Sequence, residues 1–156
     1  VTRVTAPLRV HAPPVALGLA GLLPQAFCVA LAMVRADSRV AAAVAGGGYA
    51  ALILSFLGGM WWMQALSRSE ARWWPYLLAV APSLVAWAAL LMALSGVAPP
   101  GAVLTLLAVT LLASPLGDRA VGPLLRSVAA WRTLRLVLSG GLGALTLVLA
   151  AVAGRG

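Results

Sequence analysis

The chain has 156 residues, of which 63% are hydrophobic and 9% charged, with a formal net charge of +8. That is too little polar surface to keep a fold of this size in water, so a lipid bilayer is the expected main solvent. All eleven basic residues are arginine. They sit one to four at a time between apolar runs, without the clustered face that a nucleic-acid duplex requires, so no nucleic-acid partner is expected.

The apolar runs fall at 12–34, 40–67, 73–117 and 136–154, and no side chain that carries charge near neutral pH interrupts them. The third is too long for one crossing and is broken at Pro99-Pro100-Gly101, which yields five spans of roughly 20 residues each. The predicted fold is therefore an all-α membrane bundle of five helices. A tail over 1–14 precedes a single transmembrane domain over 15–154, with spans at about 15–34, 40–66, 75–95, 99–116 and 134–153.

Span one begins after Pro13-Pro14, where a missing amide proton costs nothing, and carries Pro24 in its middle, where a kink is expected. Arg3 and Arg9 ahead of it, with Ala30-Leu31-Ala32 inside it, resemble a cleaved signal. Its apolar part runs from Val15 to Val34, about 20 residues against the ~7–15 of a signal core, so a retained span is expected. The sole cysteine, Cys28, lies within it as a small packing residue and excludes an internal disulfide. Span two opens on the weakly apolar VAAAVAGGG and hardens into YAALILSFLGGMWWMQAL. Span three starts at Pro75, and span four at Pro99 and Pro100.

Taking alternate sides, Arg3, Arg9, Arg68, Arg72, Arg119, Arg126, Arg132 and Arg135 oppose Arg35, Arg39 and Arg155. Eight against three predicts a cytoplasmic N-terminus and an outside C-terminus. Trp61, Trp62, Trp73, Trp74, Tyr76 and Trp131 fall near the arginine-rich boundary as an aromatic belt. The Ala, Gly and Leu excess without lysine points to a GC-rich bacterial genome.

Small residues recur at every fourth position of span two, at Ala43, Gly47, Ala51, Ser55 and Gly59. Such a ridge lets helix backbones approach closely in lipid, either inside the monomer or at a homo-oligomer seam. Gly140 and Ala144 offer a shorter version in span five. Among the polar residues of the spans, Thr105, Thr110, Ser114, Ser139 and Thr146 are expected to return their hydroxyl bonds to the preceding turn. Gln25, Ser55, Ser83 and Trp87 form the candidate polar and aromatic site of the bundle, with the Trp87 indole expected to meet Ser83 one turn earlier.

Two connections repeat an acid between arginines, Arg35-Ala-Asp37-Ser-Arg39 and Arg68-Ser-Glu70-Ala-Arg72. These read as solvated charge. The fourth connection, with Asp118, Arg119, Arg126, Trp131, Arg132 and Arg135, is the stronger candidate for interfacial lipid contacts. Catalytic chemistry is hard to assemble from this inventory. His11 is the only histidine, metal sites need several His, Cys or carboxylate ligands, and the spans proper carry no carboxylate. No cofactor is expected.

GLLPQAF from Gly21, ILSFLGGMWW from Ile53, APSLVAWAALL from Ala81, the Asp118-Arg119 pair and AWRTLRLVL from Ala130 occur in that order. Together they resemble the family typified by mitochondrial transmembrane protein 69, a bacterial and mitochondrial group known as a domain of unknown function. The likeness covers about Gly18 to Val148 and places the family's motif positions on Pro24, Ser55, Gly58, Gly59, Trp62, Pro82, Ser83, Trp87, Asp118, Arg119, Trp131, Leu134 and Arg135. Family members often carry Trp-Tyr before the last arginines, whereas here Arg132 follows Trp131 directly and removes that hydroxyl. The resemblance implies a multi-spanning inner-membrane protein without an established activity. The expected function is a non-enzymatic scaffold or assembly protein acting through a membrane-protein partner. The alternative is a carrier or binding protein for a lipid, quinone or small neutral solute, with Gln25, Ser55, Ser83 and Trp87 converging.

Overall fold

The structure is a computed structural model, and it describes residues 12–121 and 129–155. These form six α-helices with no strand among the described residues: α1 Ala12–Ala20, α2 Leu23–Val34, α3 Arg39–Ser67, α4 Trp74–Leu94, α5 Pro100–Val121 and α6 Ala129–Ala153. A 3-10 turn over Ala36–Ser38 joins α2 to α3. Because α1 and α2 lie end to end, the described residues hold five spans long and apolar enough to cross a membrane.

The break in the first span falls at Gly21-Leu22, three residues before the expected kink at Pro24. Pro24 instead takes a first-turn position of α2, where its missing N–H is no loss. The Tyr49 hydroxyl of α3 donates to the Gly21 carbonyl and so satisfies a backbone acceptor freed at the break. Helix α4 enters on Pro75, carries Pro82 internally and leaves through Gly96 at φ +69. That left-handed residue just past the helix end is the usual seat of glycine. Helix α5 runs on to Val121 and α6 begins at Ala129, so Asp118, Arg119, Trp131, Arg132 and Arg135 stand on helices, whereas the sequence reading set them in a connection.

Helix α3 is the hub, packing on α2, α4, α5 and α6. Helices α5 and α6 form the other large contact, while α4 rests on α3 and α5. One core cluster joins Ala50, Leu54 and Leu57 of α3 to Ala86 and Ala89 of α4, Leu107 and Leu111 of α5, and Leu142 of α6. A second joins Cys28, Val29 and Ala32 of α2 to Ala42, Leu104, Leu149 and Ala150. Large apolar side chains cover the outside too, with Leu17, Leu52, Phe56, Trp73, Trp87 and Leu94 all more than half exposed. Such a surface is costly in water and ordinary in lipid.

The small-residue ridge of α3 holds only in its first half. Ala43, Gly47 and Ala51 are buried, but Ser55 and Gly59 are exposed, and a side chain at Gly59 would meet nothing within 4 Å. The reason is rotational: each step of four residues turns about 40° past a full circle, so 16 residues swing the ridge by about 160°. The line that stays inward runs through Ala43, Gly47, Ala50, Leu54, Leu57 and Trp61, alternating steps of four and three. Gly58 on this inner side marks a tight crossing, because a Cβ there would collide with the Ala79 carbonyl of α4. At the corresponding place in α6, Gly140 has nothing within 4 Å, so close approach is made by its neighbours: a Cβ on Gly141 would lie 3.2 Å from Leu22 and one on Gly143 2.6 Å from Leu112.

Candidate functional site

The four polar and aromatic candidates of the bundle do not come together. Gln25 is fully buried and its amide nitrogen donates to Thr146 of α6 at 3.1 Å. Ser55 is exposed, Ser83 packs beside Gly58 at the α3–α4 crossing, and Trp87 turns outward with 62% exposure instead of back toward Ser83. Helix α2 packs on α3 and α6 while α4 packs on α3 and α5, so Gln25 and Trp87 stand on different sides of the hub. The hydroxyls follow local chemistry, as Thr105, Thr110, Ser114 and Thr146 donate to carbonyls three or four residues earlier at 2.7 to 2.8 Å. Ser114, having spent its proton, receives that of Ser139 at 3.0 Å.

Polar side chains do converge at the end where α3 and α5 finish and α6 begins. Gly117 removes a side chain from α5 and the Trp61 ring of α3 lies directly over it, so that a Cβ would run into the indole. This seats the Trp61 N–H on its neighbour in sequence, Asp118, where it donates to Oδ1 at 2.7 Å. From the other side, Arg135 of α6 donates its Nε–H to Asp118 Oδ2 at 2.9 Å. One carboxylate thus ties three helices. The pair is largely withdrawn from the surroundings, with side-chain exposures of 8% for Arg135 and 12% for Asp118. Withdrawn, charge-assisted bonds of this kind are short and directional, and costly to break by removing one partner.

The pairing leaves donors over. Among the described residues, Arg135 Nη2 and, one turn earlier on the same face of α6, Trp131 Nε1 are buried without a hydrogen-bond partner. Both residues border two spaces. The first is a small cavity of about 30 Å³, room for about one water, rimmed by Asp118 and by Arg119 and Arg132, which are exposed. The second is an apolar groove of about 330 Å³ between α1, α3, α5 and α6, lined by residues such as Leu17, Phe56, Met60, Leu111 and Leu142. A larger groove of about 640 Å³ opens at the opposite end between α3, α4 and α5, but no polar side chain lines it among the described residues. Of the predicted lipid contacts, Asp118, Arg119, Trp131, Arg132 and Arg135 are therefore gathered at one place, and Arg126 lies outside the described residues. Sequence reading missed Trp61 as the partner of Asp118, having counted it only in the aromatic belt. A glycine beside the lone acid of α5 was the available signal.

The charged connections behave differently from one another. Arg72 donates Nε–H and Nη2–H to the two oxygens of Glu70, each at 2.9 Å, and its guanidinium lies 5.6 Å from the centre of the Trp74 ring. These bonds, with the backbone N–H of Arg72, hold the Glu70 carboxyl down at about 2. Because the folded value is lowered, the stabilisation is present above the ordinary value of 4.5 and is lost as pH falls through about 2. The Glu70 carboxyl resonance is therefore expected to titrate near pH 2 in micelles, and near its ordinary value in Arg72→Gln; equal midpoints in the two proteins would show the loop bond absent. Asp37 in the 3-10 turn is exposed. Among the described residues the two ion pairs are Arg72–Glu70 and Arg135–Asp118.

A bundle of five apolar spans, tied near one end by a buried Trp–Asp–Arg cluster, defines a helical multi-pass membrane protein. The chain belongs to a family described as "Protein of unknown function (DUF3429)", whose model matches residues 10–152. No curated protein and no solved structure matches it.

Proposed function

We propose that the chain is a non-enzymatic protein of the bacterial inner membrane that binds a lipid-like amphiphile, with its N-terminus in the cytoplasm and its C-terminus outside. The observation that carries this reading is the apolar groove of about 330 Å³ that meets two unpartnered buried donors at one end. Its volume falls in the ~300–1,000 Å³ range of small-molecule sites, and the combination of apolar wall and few polar groups is what orients an amphiphile. The larger groove at the other end lacks such groups, so it offers space without orientation. The eight-to-three arginine asymmetry supports the orientation. A single histidine, a single cysteine and three carboxylates in the sequence support a non-enzymatic role. Kinship with mitochondrial transmembrane protein 69 belongs to the same proposal and is supported by the five ordered motifs between Gly21 and Leu138.

The scaffold reading keeps one specific support. Ser55 and Gly59 leave a shallow exposed strip on α3 that a partner helix or a second copy could approach closely. Purification from native membrane in mild detergent, followed by mass spectrometry of everything retained through size exclusion, separates the two. Enrichment of one amphiphile with no stoichiometric protein is the expected result. A stoichiometric protein lost on Gly59→Leu, with no enriched small molecule, would replace the binding role by the scaffold.

A further inference from the structure

We infer that the amphiphile is an anionic phospholipid, whose phosphate is held by Arg135 Nη2 and Trp131 Nε1 while an acyl chain lies in the adjoining groove. This rests on the amphiphile reading and adds the chemistry of the headgroup. Buried N–H groups without acceptors are rare, because each one loses its bond to water and gains nothing in return. Of five such donors among the described residues, Trp131 Nε1 and Arg135 Nη2 stand on residues that border both the small polar cavity and the apolar groove, whereas Arg39, Gln64 and Arg68 line neither. Both are donors, so the missing partner is an acceptor.

Charge settles its sign. Arg119, Arg132 and Arg135 surround the small cavity against the single carboxylate of Asp118, leaving an excess of two positive charges at the low-dielectric edge of the bundle. A phosphate diester offers one negative charge and two free oxygens, enough to accept from both donors. Asp118 is the positioning residue: by taking Nε–H it turns the guanidinium so that Nη2 is left over, and Trp61 holds Asp118 in turn. The headgroup end is a built site because Arg135 is only 6% exposed and cannot swing out to serve as an ordinary surface arginine. The neighbouring wall of Leu17, Phe56 and Leu138 accepts hydrocarbon and offers nothing to a free anion.

The test uses the full chain, stripped of lipid in detergent, with phosphatidylglycerol, diacylglycerol of the same chain length and inorganic phosphate as separate probes followed by native mass spectrometry. Phosphatidylglycerol is expected to bind about tenfold more tightly than diacylglycerol, and Trp131→Phe, which removes one N–H and leaves the Asp118–Arg135 pair intact, is expected to erase about tenfold of its affinity. Arg135→Gln is expected to remove the preference for phosphate altogether. Equal binding of phosphatidylglycerol and diacylglycerol would overturn the anionic headgroup while leaving an amphiphile site. Binding of neither lipid would overturn both. Inorganic phosphate bound as tightly as the phospholipid, and lost in Trp131→Phe, would make the ligand a free anion and remove the acyl chain from the proposal.

Discussion

Asp118→Ala is expected to destabilise the protein by about 3 kcal/mol, because it strands a guanidinium and an indole N–H that are both withdrawn from solvent. The loss is the cost of leaving Arg135 charged and uncompensated between helices, more than the value of the ion pair itself. A second substitution exposes the difference: Asp118→Leu combined with Arg135→Met removes both charges and is expected to recover most of the stability, as buried pairs replaced by apolar groups generally do. Equilibrium unfolding in mixed micelles of the parent, Asp118→Leu, Arg135→Met and the double variant gives the coupling energy directly, with Asp118→Ala measured beside them. A loss below about 1 kcal/mol in Asp118→Ala would show that the pair behaves as an exposed one.

Gly117→Leu is expected to cost about 3 kcal/mol through a different mechanism, overpacking. The Trp61 ring occupies the space a side chain at 117 would need, and Trp61 is only 3% exposed, so it has no free side toward which to move. Displacing it also withdraws the N–H from Asp118 Oδ1, so the indole proton resonance of Trp61 is expected to shift in parallel with the loss of stability. Gly59→Leu and Gly140→Leu are the internal controls, since a side chain at either site meets nothing within 4 Å. Both are expected to stay within about 0.5 kcal/mol of the parent. If Gly117→Leu behaves like the two controls, the Trp61 ring does not pack over Gly117.

The two largest effects thus sit on adjacent residues of one helix. Gly117 admits the indole and Asp118 binds it, and the same bond sets which nitrogens of Arg135 are free for a headgroup. Stability and ligand recognition are consequently linked at this point. Trp61 is the shared element: it tightens the core cluster with Ala65, Ala79 and Val121 and orients the carboxylate.

Much of the architecture was legible in one dimension. Bilayer thickness sets the length of an apolar run, and proline and glycine mark where a ladder of backbone bonds starts or stops, so the spans and the Pro75 and Pro100 entries follow from local chemistry alone. Errors arose where a local rule was extended around a helix. The fourfold ridge from Ala43 to Gly59 looked like one face but winds about 160° around the axis. Pro24 was expected to bend the first span, yet the break lies at Gly21-Leu22, where the Tyr49 hydroxyl from another helix provides the needed bond.

What the sequence determined by itself was the class of solvent, the number of spans and the clustering of arginine and tryptophan at alternate boundaries. Tertiary structure alone decided which polar groups meet: Gln25 with Thr146, Trp61 and Arg135 with Asp118, and Trp87 with none of them. The physical reason is that these helices are apolar on every side, so no stripe of polarity in the sequence says which face looks inward. In lipid the inward face is chosen by fit, by where Gly58 admits the Ala79 carbonyl and Gly117 the Trp61 ring, and fit between helices distant in sequence exists only once they are packed.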